Sequence, residues 1–370
     1  MRPVTDKHQV SRAKLAYLID ATAAPVCIIA PISSWAAAVT GFVEGEDGFS
    51  IFLRAIPFNY YALLTILTMV LLVVLKVDYG SMRVHEDNAL RGDIYTTPDR
   101  PYADAQDDVV EEKGGVIDLV FPILVLIGCC IIGMLYSGGF FSGVSFVEAF
   151  SASDASVGLM LGSFFAFVIT VIFYALRRVL KFTDSMACIP DGFKAMVPAI
   201  LILTFAWTLK AMTDSLGAAE YVAGIMETAA TGLVNFLPAI IFLVGCFLAF
   251  ATGTSWGTFG ILIPIVVAVF QGTNETMMII SISACMAGAV CGDHCSPISD
   301  TTIMASAGAQ CNHVNHVSTQ LPYAMTVAAV SFVTYVIAGF VQNAWICLPI
   351  GIVLMTGTLF VIRAITGKEE

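Results

Sequence analysis

The chain has 370 residues, of which 58% are hydrophobic and only 12% are charged. Soluble domains carry about 25% charged residues, so this composition excludes an ordinary soluble domain and predicts an all-α bundle embedded in a lipid bilayer. The formal net charge of −11 comes mainly from two acidic loops, within residues 44–47 and 86–112, and gives no indication of a nucleic-acid partner.

The first membrane segment is predicted at residues 15–75, after a polar and basic segment at 1–14. Its first apolar stretch, at 15–43, is interrupted by Pro25 and Pro31, because proline lacks an N–H and disturbs the helix at that point. The same stretch contains Asp20, Ser33 and Ser34. An uninterrupted span follows at about 56–75.

Residues 76–115 are polar, have no apolar periodicity and predict a loop, with a short surface helix within it as a further possibility. The main membrane domain is predicted at 116–363, with further spans at about 116–136, 156–176, 196–212, 276–291, 320–341 and 345–363. A second broken stretch occupies 237–271, and its centre is polar and rich in glycine. That centre contains Thr252, Gly253, Thr254, Ser255, Trp256 and Gly257.

The basic residues predict the orientation. No Lys or Arg occurs from Ala211 to Ile362, whereas the segments 1–14, 76–113 and 177–194 and the tail at 364–370 contain basic residues. Because basic loops stay on the cytoplasmic side, both termini are predicted to be cytoplasmic, with about ten crossings between them. The ten cysteines predict no disulfide framework, and the first apolar run is too long for a cleaved signal peptide.

A polar stretch at 291–302, CGDHCSPISDTT, lies between two apolar runs. Pro297 breaks any helix through it, and a broken helix at membrane depth leaves backbone groups that need partners. Carboxylates inside a membrane are costly and mark ion or proton sites. The candidate ligands are Asp293, Ser296, Ser299, Asp300, Thr301 and Thr302.

These residue types predict a site for a hard cation such as Na⁺, which prefers oxygen ligands. Asp293 and Asp300 are the leading candidates, Thr252, Thr254 and Ser255 are candidates to complete the shell, and Asp20 is a third carboxylate. A carboxylate in a low-dielectric site favours its protonated form, so one site can hold either H⁺ or Na⁺. The alternative for residues 291–302 is an ordinary water-exposed loop. The alternative for Asp20 is a water-facing position near the end of a span.

Two enzyme-like patterns are present. Residues 253–257 fit the G-x-S-x-G nucleophile pattern, which requires a strand before the turn, but apolar helices are predicted here. Cys291, His294, Cys295, His313 and His316 are a possible zinc set with non-standard spacing. Neither pattern outweighs the interpretation of 291–302 as a site for a cation or a proton. His294 has a further possible role as a proton relay.

Three motifs together resemble the NhaC-type Na⁺/H⁺ antiporter family: GDHCSPISDTT, GTSWGT before a Pro-containing apolar run, and VSRAKLAYLIDATAAPVCIIAPISSW. The resemblance implies a fold of inverted repeats with broken helices and exchange of Na⁺ for H⁺ across a prokaryotic plasma membrane. It places the family's polar core on Asp293, Ser296, Pro297, Ser299, Asp300, Thr301 and Thr302, and on residues 253–258. It implies no cofactor beyond the transported ions.

Members of that family are usually longer at the N-terminal side. Three explanations of this difference are open: a truncated chain, a misassigned start or one part of a split transporter. Its partner would then be a complementing N-terminal half, and a homo-oligomer is a further possibility. The alternative function is Na⁺-coupled transport of a small organic solute, such as an amino acid or a dicarboxylate. The 152 residues from Ala211 to Ile362 offer no Lys or Arg to pair with an anionic solute.

Overall fold

The computed structural model describes residues 2–31, 33, 35, 39, 48–98, 115–216, 234–270 and 274–366. These residues form helices and turns and contain no strand, which confirms the all-α prediction. Two compact units are present: Met1–Pro31, Phe42–Asp104 and Ala199–Glu370 form the first, and Ile32–Gly41 and Ala105–Pro198 form the second.

The first unit begins with five helices, and the fifth lies within residues 76–115, where the sequence predicts a loop. They are α1 (Arg2–Lys7), α2 (Arg12–Cys27), α3 (Gly48–Ala55), α4 (Tyr60–Leu75) and α5 (Ser81–Leu90). It continues after the second unit with α10 (Leu237–Thr252), α11 (Ser255–Phe270), α12 (Glu275–Cys295), α13 (Asp300–Ala309), α14 (His313–Val341) and α15 (Ala344–Thr366).

Polar side chains cap several of these helices, as expected where the first backbone N–H groups lack helical partners. Ser11 accepts from Lys14 N at the start of α2, and Asn59 accepts from Ala62 N at the start of α4. Asn274 does the same for Met277 N at the start of α12. The sequence therefore contains specific start signals for the helices that build the site.

The second unit contains α6 (Val116–Ser137), α7 (Phe146–Ser151) and α8 (Ala155–Arg177), and α9 (Phe182–Ser215) has residues in both units. Helices α6 and α8 pack closely, since a Cβ at Gly133 would lie 2.2 Å from the Gly158 carbonyl oxygen. Such contacts between small residues are common between membrane helices. At one end of the pair, Arg177 Nε lies 2.9 Å from Asp118 Oδ1.

Six helices in the described part of the chain are long and apolar enough to cross a membrane. A bent pair, residues 50–58 and 60–75, raises the number to seven. The expected count of about ten is not confirmed. The predicted span at 196–212 is helical within α9 but is not among the six, and α2 is only 16 residues long.

Helix α12 is the central element of the first unit. An 18-residue window of it is 89% buried, and it packs against α2, α3, α4, α10, α11, α13 and α14. Its contact with α10 is close because α12 has glycines there. A Cβ at Gly288 would lie 2.3 Å from the Phe242 carbonyl oxygen, and one at Gly292 would lie 2.2 Å from that of Cys246.

Candidate functional site

The chain breaks at residues 296–299, between α12 and α13. Helix α12 ends at Cys295, Ser296 and Ser299 have extended backbones, and α13 begins at Asp300. Pro297 lies inside this break, in agreement with the expected interruption. The break is therefore a true change of helix rather than a kink within one helix.

Asp293 lies in the last turn of α12 and is 1% exposed. Its Oδ2 accepts a hydrogen bond from the Thr301 hydroxyl over 3.5 Å, while Oδ1 has no hydrogen-bond partner among the described residues. Asp300 lies close enough to interact electrostatically with this carboxylate. A buried carboxylate with so few partners is costly, so this position is suited to a proton or a cation.

Two more hydroxyls lie beside Asp293, those of Ser255 and Ser299. Ser255 Oγ donates to the Ala289 carbonyl oxygen at 3.2 Å, and Ser299 Oγ lies 2.9 Å from Thr301 Oγ1. Because a hydroxyl can rotate and also accept, both can turn an oxygen lone pair toward a bound cation. The carboxylate thus has a set of oxygen ligands within reach.

Several backbone oxygens near the break already have protein partners. The Asp293 carbonyl oxygen accepts from Ser296 N at 3.0 Å and from the Thr302 hydroxyl at 3.4 Å. The Pro297 carbonyl oxygen lies 2.6 Å from His313 Nε2, which must donate because a carbonyl only accepts. The side-chain oxygens, rather than these carbonyls, are therefore the atoms left for an ion.

The second predicted break also exists, and it contacts the first. Gly253 has a φ of +67° and separates α10 from α11. A Cβ there would lie 2.6 Å from Ile298 Cγ1, and the Ser296 hydroxyl donates to the Phe250 carbonyl oxygen at 2.9 Å. Only glycine fits this left-handed turn against Ile298. The two polar stretches predicted from the sequence are thus brought together.

The other candidates in the second stretch are placed less centrally. The Thr252 hydroxyl donates to the Leu248 carbonyl oxygen of its own helix, and Thr254 is half-buried between the two helices. Gly257 lies within the first turn of α11, so the break consists of Gly253 and Thr254. Trp256 is 37% exposed. The G-x-S-x-G pattern is flanked by helices on both sides and lacks the strand that a nucleophile elbow requires.

Asp20 is fully buried in α2, which packs against α12. Its Oδ2 lies 3.3 Å from His316 Nε2 and 3.9 Å from His294 Nε2. His294 Nδ1 lies 2.9 Å from the Tyr61 hydroxyl, and Gln320 Nε2 donates to the His294 carbonyl oxygen at 2.5 Å. The water-facing alternative for Asp20 is therefore wrong, and Asp20 belongs to a buried cluster.

The possible zinc residues are divided between different contacts. His313 bonds the Ser306 hydroxyl and the Pro297 carbonyl, whereas His316 contacts Asp20. Within the described ranges, no group of three or more His, Cys, Asp or Glu side chains is arranged to hold a metal ion. The structure does not support the zinc pattern in this part of the chain.

The helix of the first apolar stretch ends after Pro25 rather than at it. Helix α2 continues through Pro25 to Cys27, and Pro31 follows in a turn. Ser33 belongs to the second unit, and Ser34 lies outside the described residues.

Sequence reasoning did not single out two members of the Asp20 cluster, Tyr61 and Gln320. His316 was considered only as a zinc ligand. Gln320 follows His316 by four residues, so the two share one face of α14. Two polar residues on one face of a membrane helix are a signal that would have pointed to this cluster.

The sequence is similar to those of several known proteins. The chain is 37% identical over 359 residues to an uncharacterized protein of Haemophilus influenzae, with 92% of this chain and 66% of the relative covered. It is 26% identical over 168 residues to the malate-2H(+)/Na(+)-lactate antiporter of Bacillus subtilis, covering 44% of this chain and 34% of that protein. An uncharacterized Na(+)/H(+) antiporter of Haemophilus influenzae is 29% identical over 164 residues, covering 43% of this chain and 33% of that protein.

The chain thus spans less than two thirds of the length of these curated relatives. No solved structure matches it. The profile of the Na⁺/H⁺ antiporter family matches residues 15–340, a range that includes both breaks, Asp20 and His316. With its apolar helices and its paired breaks, the chain belongs to the Na⁺/H⁺ antiporter family of membrane transporters.

Proposed function

We propose that this chain exchanges Na⁺ for H⁺ across the plasma membrane of a prokaryote, with both termini in the cytoplasm. Family membership supports a transporter of cations and protons. The distribution of Lys and Arg supports the orientation, since the basic segments alternate with apolar spans.

The observation that carries the proposal is the Asp293 carboxylate. It is buried at a helix break beside the hydroxyls of Thr301, Ser299 and Ser255, and its Oδ1 has no hydrogen-bond partner within 3.5 Å among the described residues. A lone charge is not stable in such a place, so the carboxylate needs a bound proton or a bound cation. Exchange follows because each ligand displaces the other.

Na⁺ fits this site better than a softer ion. The atoms within reach are the oxygens of Asp293, Asp300, Ser299, Thr301 and Ser255, and hard cations select oxygen ligands. Ser296 and Thr302 hold the break together through the Phe250 and Asp293 carbonyls. We therefore propose that Ser296 and Thr302 stabilise the break and that the carboxylates of Asp293 and Asp300 bind the ion.

Proton flux in sealed vesicles tests this function. Purified protein is reconstituted with an internal pH dye, a pH gradient is imposed, and Na⁺ is added. We expect Na⁺ to dissipate the gradient with the unaltered chain, and we expect the response to disappear in Asp293→Asn and Asp300→Asn. Asp191→Asn is the matched control, because that carboxylate is exposed and its ion-pair partner among the described residues is the exposed Lys194.

Full activity of Asp293→Asn would contradict the proposed site. Absence of any response to Na⁺, Li⁺ or K⁺ would contradict the proposed exchange. In that case the same vesicles are prepared with the longer Haemophilus influenzae relative, which shows whether the additional length of that protein is required.

A Na⁺-coupled carrier of an organic anion is the second candidate. It is favoured by the similarity to the protein named malate-2H(+)/Na(+)-lactate antiporter. The lack of any Lys or Arg from Ala211 to Ile362 speaks against it, because a carboxylate solute would have to rely on helix N-termini. If Na⁺-driven proton flux requires malate or lactate, this candidate is established instead.

A further inference from the structure

We propose that His313 is a positioning residue of the cation site. Through its hydrogen bond to the Pro297 carbonyl oxygen, it holds the break at 296–299 in the conformation that binds Na⁺. The inference rests on the proposed Na⁺/H⁺ exchange and adds a residue that is not itself an ion ligand. It gives His313 a role in place of zinc binding, which the described part of the chain does not support.

His313 joins the start of α14 to the break. It is the first residue of α14, and the Asn312 side chain caps the helix there by accepting from Asn315 N at 3.1 Å. From this position His313 Nε2 lies 2.6 Å from the Pro297 carbonyl oxygen, 16 residues earlier in the chain. All of α13 lies between the two residues, so this one bond ties α14 to the far end of α13.

Two further contacts hold the break, and both join it to α10. The Ser296 hydroxyl donates to the Phe250 carbonyl oxygen at 2.9 Å, and Ile298 packs against Gly253. The residues on either side of Pro297 are therefore attached to α10, while Pro297 itself is attached to α14. The bond from α14 thus fixes the direction of the carbonyl between the two α10 contacts.

The proposed oxygen ligands follow Pro297 closely in the chain. The Ser299 and Thr301 hydroxyls lie 2.9 Å from each other, and the Thr301 hydroxyl lies 3.5 Å from Asp293 Oδ2. A rotation of the backbone at Pro297 would therefore move both hydroxyls relative to the carboxylate. Residues that orient metal ligands in this way change the metal affinity when they are replaced, although they do not touch the ion.

The hydrogen atoms of the His313 contacts can be assigned. A carbonyl oxygen only accepts, so Nε2 carries a hydrogen. Nδ1 lies 3.0 Å from Ser306 Oγ, which lies 2.8 Å from the Ile303 carbonyl oxygen. In the neutral ring the Ser306 hydroxyl donates to Nδ1, and in the charged ring Nδ1 donates to Ser306, which then donates to Ile303. The bond to Pro297 persists in both states, so the positioning role does not depend on the charge of the ring.

Two conservative substitutions separate the contacts of the ring. Glutamine places its amide nitrogen near the position of Nε2 and can still donate to Pro297, whereas asparagine is shorter and reaches only the position of Nδ1, beside Ser306. Binding of ²²Na⁺ to the purified protein measures the effect. We expect His313→Gln to bind nearly as tightly as the unaltered chain. We expect the Kd of His313→Asn to be roughly three- to tenfold higher, the equivalent of one hydrogen bond.

The pH dependence of the Kd separates positioning from proton exchange. His313→Gln should show the same change of Kd per pH unit as the unaltered chain, because the exchanging proton is proposed to bind at Asp293. His313→Ala removes both contacts of the ring and should match His313→Asn, so the comparison with His313→Gln remains if one of the two does not fold. His8→Asn, at an exposed histidine, is the matched control and should leave the Kd unchanged.

Equal Kd values for His313→Asn and His313→Gln would overturn the inference. A purely structural role would give this result, with a lower unfolding temperature but an unchanged Kd in the folded protein. A weaker pH dependence in His313→Gln would also overturn it, because His313 would then exchange a proton itself. All of these results leave Na⁺ binding intact. Failure of the unaltered chain to bind Na⁺ would instead remove the proposed exchange, so the two failures are distinguishable.

Discussion

Helix α12 in the first unit and helices α6 and α8 in the second unit are all long enough to cross a membrane, yet they differ in burial. The best window of α12 is 89% buried, whereas those of α6 and α8 are 11% buried. Asp293 and His294 lie in α12, while the exposed face of α6 is made of residues such as Leu119, Leu124 and Ile127. In a membrane, polar and charged side chains lie on helices that other helices surround, whereas side chains that face lipid are apolar.

The largest effect is expected from a carboxylate placed on the exposed face of α6. Leu124 is 62% exposed, so Leu124→Asp would put a charge against lipid and cost about 2.5–3.5 kcal/mol of insertion free energy. Membrane insertion, measured by glycosylation mapping, should fall strongly, while Leu124→Ala should insert normally. Normal insertion of Leu124→Asp would show that protein or water covers this face.

A glycine substitution compares the packing of α12 with that of α6. A Cβ at Gly288 would lie 2.3 Å from the Phe242 carbonyl oxygen, whereas one at Gly128 in α6 meets nothing within 4 Å. Gly288→Ala should therefore lower the free energy of unfolding by about 1–3 kcal/mol, and Gly128→Ala should not lower it. Thermal unfolding in detergent measures both. Equal stability of the two variants would contradict the close contact of α10 with α12.

A smaller effect is expected at Thr301, whose hydroxyl lies 3.5 Å from Asp293 Oδ2. Thr301→Val keeps the shape but removes this oxygen, so Na⁺ affinity should fall by roughly two- to tenfold, the equivalent of one hydrogen bond. Thr358→Val is the control, because that exposed hydroxyl donates to the Leu354 carbonyl oxygen of its own helix. Direct Na⁺ binding measures the change, and unchanged affinity would remove Thr301 from the site.

The smallest effect is expected from the ion pair of the second unit. Arg177 is 40% exposed and Asp118 is 9% exposed, so solvent screens their interaction. Arg177→Gln should change the free energy of unfolding by only about 0.2–1 kcal/mol and leave Na⁺-driven proton flux unchanged. A loss of flux in this variant would mean that the second unit takes a direct part in transport.

Much of this architecture could be predicted from the sequence because local rules decide it. Composition predicts the all-α membrane class, and Pro297 and Gly253 predict the two breaks, since each residue constrains its own backbone. The number of membrane crossings was harder to predict from the sequence. Residues 15–43 and 237–271 are apolar, but α2 and α11 are 16 residues long and do not reach the length of a span.

The candidate site was predictable only in part. The carboxylates and hydroxyls of 293–302 are close in sequence, so their proximity follows from the break itself. The Asp20–His316 contact joins residues 296 positions apart and depends on how α2 packs against α14. The spacing of His316 and Gln320 gives the face that they share but not the residue opposite them, so the sequence left Asp20 open between an ion ligand and a water-facing residue.

The pH dependence of Na⁺ affinity tests the central claim most directly. If protons and Na⁺ compete at Asp293, the apparent Kd for Na⁺ should rise on acidification by about tenfold per pH unit for each proton displaced. Binding is measured on the unaltered chain and on Asp293→Asn across a series of pH values. We predict a steep dependence in the first and no measurable Na⁺ binding in the second. A pH-independent Kd, or unchanged binding in Asp293→Asn, would contradict the account.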